Sequence, residues 1–126
     1  MLMELMIPCP FCGQLCVCET ETELNEADRL LYVKRNCRCD GAKDWRTVQD
    51  AYEKIDRIIG DGAVEAGFDY GESVETVEAM KCAANDLVAG RYRMVQVTTP
   101  GGDSVKLSLE PGNVKVKRVS KRQLTI

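Results

Sequence analysis

The chain has 126 residues, seven cysteines, no histidine and a formal net charge of −3. That length suits one ordinary domain or two small ones, and an apolar fraction of 44% excludes wholesale disorder. An odd number of cysteines excludes complete pairing into internal disulfides, and no apolar run approaches the roughly 20 residues of a membrane span.

Met1 to Ile7 is apolar but short, carries Glu4, lacks a basic flank and runs directly into the first cysteine, so it does not read as a secretion signal. A reducing, cytoplasmic setting with thiolate-bound metal is the expectation. Six of the seven cysteines fall between residues 9 and 39. Cys9-Pro10-Phe11-Cys12-Gly13 is a metal knuckle by its spacing: a Cys-x-x-Cys pair on a tight turn aims two thiolates at one point. Cys37-Arg38-Cys39-Asp40-Gly41 supplies the second pair. Gly13 and Gly41 are expected at positive φ, where a turn leaves the metal and a side chain would be strained.

Gln14 to Thr22 alternates as a strand does, and Arg29 to Asn36 is rich in strand formers. Joined through the polar stretch 23–28, they make a hairpin that returns Cys37 and Cys39 beside Cys9 and Cys12. A rival reading makes Glu23 to Val33 one short helix. From Asp44, a plausible cap, to Ile59 the residues Trp45, Val48, Ala51, Tyr52, Ile55, Ile58 and Ile59 occupy one helical face, and Gly60 ends the run. Residues 61–72, glycine-rich, are the expected linker. A second helix follows from a Ser73 cap to Ala89, with Val77, Met80, Ala83, Ala84, Leu87 and Val88 on its apolar side and Gly90 as its stop. Arg91 to Thr99, Ser104 to Glu110 and Val114 to Val119, separated by Pro100-Gly101-Gly102-Asp103 and Pro111-Gly112-Asn113, read as an antiparallel meander. Its inner face holds Val95, Val97, Val105, Leu107, Leu109, Val114 and Val116, and Lys106, Lys115 and Lys117 share the other.

The expected fold is therefore α+β, in the order zinc ribbon with amphipathic helix (1–60), linker (61–72), then helix plus three-stranded sheet (73–126). The metal set of first choice is Cys9, Cys12, Cys37 and Cys39 with one structural Zn²⁺, since four thiolates are what structural zinc prefers. Cys16 and Cys18, on one face of their strand, offer a replacement for Cys39 or a second ion. Redox chemistry by Cys9 and Cys12 and an iron–sulfur cluster are the alternatives. A closed tetrathiolate site stabilises and does not catalyse, and without histidine the commonest general base is missing. Cys82 then lacks an activating base. No enzyme is expected.

Charge is divided unevenly. Residues 1–90 hold 9 basic and 18 acidic side chains, whereas residues 91–126 hold 8 basic and 2 acidic ones. The basic portion, with Arg91, Arg93, Lys106, Lys115, Lys117 and Arg118, followed by Lys121 and Arg122, is the candidate nucleic-acid surface. The acidic portion is the candidate for contact with a basic protein groove.

From Ile7 to about Ile59 the chain resembles the restriction-alleviation proteins of the Lar type from phages and prophages. The features are the Cys-Pro-Phe-Cys-Gly opening, a hairpin, a second knuckle ending Gly41-Ala42, and an amphipathic helix bearing an aromatic. The second knuckle is one residue shorter than the usual form, and residues 73–126 lie outside the likeness. The resemblance implies a small accessory protein of a phage or mobile element that blunts host restriction or, by looser analogy, another host nuclease such as a CRISPR effector. A host protein is then the expected partner, in the cytoplasm of the host cell. Direct nucleic-acid binding through the basic sheet is the alternative function, and a structural part of a virion is a third. The two apolar helix stripes allow a homodimer.

Overall fold

The structure is a computed structural model that describes residues 2–120. The chain divides into two compact units, up to Arg46 and from Thr47 onward.

In the first unit, β1 (Met3–Pro8) and β2 (Leu15–Thr20) pair antiparallel, with Met3 opposite Thr20 and Pro8 opposite Leu15. The first knuckle is the turn of this hairpin. Period-two alternation drives Leu5 and Ile7 of β1, and Cys16 and Cys18 of β2, toward the core, where they meet Leu24, Tyr32, Val33, Cys37, Cys39 and Ala42. The expected partner of β2, Arg29 to Asn36, is a helix instead, α1 (Glu26–Asn36). The strand propensity of Leu30 to Val33 is overridden by end signals that favour a helix. Asn25 caps it, accepting the Asp28 N–H at 2.8 Å, with Glu26 and Asp28 in the first turn and Lys34 and Arg35 in the last. Val33 is its one fully buried residue, and the Tyr32 hydroxyl donates to the Val17 carbonyl at 3.1 Å, fastening α1 to β2.

α2 (Asp40–Ile58) begins four residues before the expected Asp44 cap, in the first unit, and ends in the second. The division thus falls inside a helix and ahead of the glycine-rich stretch. The reason is the apolar stripe: Ala51, Ile55 and Ile59 belong to the second core, together with Val77, Met80, Ala84, Leu87, Val105, Leu107 and Val114.

Residues 61–72 do not act as a linker between domains. They fold onto the second unit through backbone bonds such as Phe68 N–H to Ala63 O and Glu72 N–H to Ile59 O. α3 (Val74–Val88) starts as expected, the Ser73 hydroxyl accepting the Thr76 N–H. β3 (Met94–Thr98), β4 (Ser104–Glu110) and β5 (Asn113–Val119) form the antiparallel sheet in the order β3-β4-β5. Leu107 faces Val116 and Val105 faces Arg118 across β4 and β5. The inner apolar face is as expected except for Leu109, which is exposed near the hairpin end.

Candidate metal centre

The first knuckle is fixed by its backbone: Cys9 donates its N–H to the Gln14 carbonyl at 2.9 Å and Gly13 donates to the Cys9 carbonyl at 2.8 Å. Gly13 takes φ +78°, so the turn needs glycine there. Gly41 does not adopt positive φ. It is a glycine for a different reason, because a Cβ at this position would lie 2.6 Å from the Cβ of Phe11, the side chain between the two knuckle cysteines. Phe11 therefore packs directly on the start of α2.

The second pair is not carried by a hairpin. Cys37 is the C-cap of α1, its N–H bonded to the Val33 carbonyl, and Cys39 immediately precedes α2. The short connection between two helices thus presents two thiols to the hairpin turn. Arg46, nearly two turns into α2, secures the connection by donating to the carbonyls of Lys34 at 3.0 Å and Cys37 at 2.7 Å. Nothing in the sequence pattern marks this arginine, because its role depends on α2 folding back against the end of α1.

The Sγ atoms of Cys9, Cys12, Cys37 and Cys39 all lie within 4.8 Å of one another. Cys9 is 3.7 Å from Cys39, and Cys12 is 3.7 Å from Cys37. A tetrahedral ion with metal–sulfur bonds of about 2.3 Å has sulfur–sulfur edges of about 3.8 Å. The four thiols therefore suit a single ion. Cys9 and Cys37 are buried, Cys39 is half-buried and Cys12 is exposed, which closes the site toward the protein and opens it on one side.

Protons distribute unequally over the four. The Cys39 backbone N–H pulls Cys37 down, against the cost of burial and with help from the neighbouring thiols, to about 6. The Gln14 backbone lowers Cys12, but burial and proton sharing with Cys37, Cys9 and Cys39 push it up to about 12. Cys39 accepts the Ala42 N–H at 3.4 Å, which lowers it, yet burial and the thiols of Cys37 and Cys9 leave it raised. The Cys37 thiolate forms readily whereas Cys12 and Cys39 resist, as expected where several negative charges would share one small volume without a cation.

Cys16 sits beside this group, its thiol raised by burial first and then by Cys37. Cys18 lies in the core opposite Leu5. Neither is among the four, and among the described residues no second cluster of metal-ligating side chains forms around them. Cys82 is exposed on α3.

The basic residues separate into three groups. Lys106, Lys115 and Lys117 line one concavity on the outer face of the sheet. Arg91 pairs with Asp86 at 2.6 Å, and Arg93 is exposed just before β3. Arg118 is not available to a phosphate. Its side chain is 0% exposed, and its guanidinium lies 2.8 Å from Asp103 and 3.6 Å from Glu72. It also donates to the carbonyls of Ile58 and Tyr70 and lies over the rings of Phe68 and Tyr70. Parity explains the difference, since Arg118 continues the inward series of Val114 and Val116 and not the outward series of Lys115 and Lys117. Lys121 and Arg122 lie outside the described residues.

No helix among the described residues is long and apolar enough to cross a membrane. Comparison with protein-family models, with curated proteins and with solved structures gives no match.

Proposed function

We propose that Cys9, Cys12, Cys37 and Cys39 hold one structural zinc ion, and that the chain is a non-enzymatic binding protein directed at a host defence or nucleic-acid-processing enzyme. The observation that carries the metal assignment is the set of four thiols within 4.8 Å, two of its edges matching a tetrahedral zinc–thiolate site. Zinc fits better than a hard cation because every donor is sulfur. Four thiolates fill a tetrahedral shell and leave no position for water or substrate, so the ion's contribution is to folding.

Support for the target is of a different kind. It comes from the resemblance of residues 7–59 to restriction-alleviation proteins and from the excess of acidic side chains in residues 1–90, which can compete with DNA for a basic groove.

Elemental analysis of protein purified without added metal tests the first half. One equivalent of zinc per chain is expected, whereas metal-free protein with thiols oxidised in pairs overturns the assignment. For the second half, cells that restrict unmodified phage DNA are made to express the chain. Plating efficiency should rise, and the restriction enzyme should co-purify with the tagged protein. Unchanged restriction in cells that accumulate zinc-loaded protein removes that target.

A further inference from the structure

The outer face of the β3-β4-β5 sheet carries a feature that its own fold does not require. Lys106 stands directly opposite Lys117, and Lys115 opposite Ser108. Like charges facing each other across two strands cost about 0.2–1 kcal/mol. Among the described residues, none of the three ammonium groups has a hydrogen bond or ion pair to offset this. Together with Ser108 and Glu110 they line a concavity of about 280 Å³. The only other acidic residue after position 90, Asp103, faces the interior and is bound to Arg118.

We infer that this face binds the phosphodiester backbone of a nucleic acid. Lys115 and Lys117, two residues apart on one strand, are separated by about 7 Å, twice the axial rise of about 3.4 Å per phosphate of a nucleic-acid strand. Lysines offer point charges and not the planar forks that read base edges. The outward positions of the three strands bear no aromatic ring on which a base could stack. Recognition is therefore of backbone charge, indifferent to sequence. Glu110, at the hairpin end of the concavity, repels phosphate there and confines contact to the Lys106–Lys117 end. Ser108 is placed to donate its hydroxyl. Attraction by the molecule as a whole does not explain such binding, since the chain is acidic, with a pI of about 5.1. The inference is independent of the metal and of the proposed protein target.

The test is fluorescence anisotropy of the full chain with labelled random-sequence duplex DNA between 50 and 200 mM salt. Neutralising three phosphates gives a slope of about −2.7 in log affinity against log salt, hence a loss of about 40-fold across that range. A triple variant, Lys106→Gln, Lys115→Gln and Lys117→Gln, should lose this binding at 50 mM salt while keeping the wild-type circular dichroism and melting at or slightly above the wild-type temperature, because all three side chains are exposed and their mutual repulsion is removed. Glu110→Gln should tighten binding. Absence of binding by wild-type protein at 50 mM salt, or binding that survives the triple substitution, overturns the inference. So does displacement of the DNA by polyglutamate at equal charge concentration, which would identify the face as a site for acidic protein.

Discussion

The four clustered thiols behave differently from four separate ones, and the consequence is measurable. At pH 7 Cys37, held near 6, is a thiolate, whereas Cys12, near 12, and Cys39, raised, keep their protons. A metal ion must expel the protons of Cys12 and Cys39 to bind, so its affinity rises with pH. Expelling those two protons makes apparent affinity fall by at least about 100-fold per unit as pH drops from 8 toward 7, and more steeply below about 6 as Cys37 is protonated too. Competition titrations against a chromophoric chelator at several pH values check the slope; an affinity flat over this range is incompatible with it. Cys16 supplies the contrast. Cys16→Ser should retain one equivalent of metal, and Cys37→Ser should not.

At the scale of elements, the second unit is held together at one point by Arg118, which joins β5 to the loop 61–72 and to the turn containing Asp103. The guanidinium lies between two carboxylates that are only 5% and 6% exposed. Removing it leaves both without their counter-charge, and breaking a buried pair in this way costs about 3–5 kcal/mol. Arg118→Ala should lower the urea midpoint accordingly, whereas Lys106→Ala, on the same sheet but exposed, should stay within about 0.5 kcal/mol of wild type.

How much of these elements was legible in the sequence depends on where their determinants lie. α2 and α3 announce themselves through long apolar stripes, and the meander through its turn residues. β1 is short, and the alternation of Leu5 and Ile7 alone is too little to mark a strand. α1 carries its cap at Asn25 in plain view, but its Leu30-Leu31-Tyr32-Val33 run has equal claim to be a strand. The spacing already favours Cys9, Cys12, Cys37 and Cys39, and these are the four that converge; what the spacing does not reveal is that the second pair is delivered between α1 and α2 and not by a hairpin. Arg118 was misassigned to the basic surface although strand parity alone placed it inside.

At the scale of the whole molecule the two units rest on different foundations. Three of the six buried residues in the first core are cysteines, and Cys9 and Cys37 belong to the clustered four. A unit of about 46 residues with so little hydrocarbon inside usually needs a metal or another staple to fold. The second core has Ile55, Ile59, Leu87, Leu107 and several valines fully or nearly buried and needs no such support. Stripping the metal under reducing conditions should therefore abolish amide-exchange protection in β1, β2 and α1 while leaving Leu87, Val105 and Leu107 protected. Loss of protection throughout the chain would show that the units fold as one.

The enclosure of Arg118 between Phe68 and Tyr70 also governs its reactivity. A dicarbonyl reagent selective for guanidinium should label Arg93 within minutes in native protein, yet spare Arg118 until the loop that roofs it swings away. Labelling at that position then becomes a clock for the opening of one half of the chain, readable by mass spectrometry.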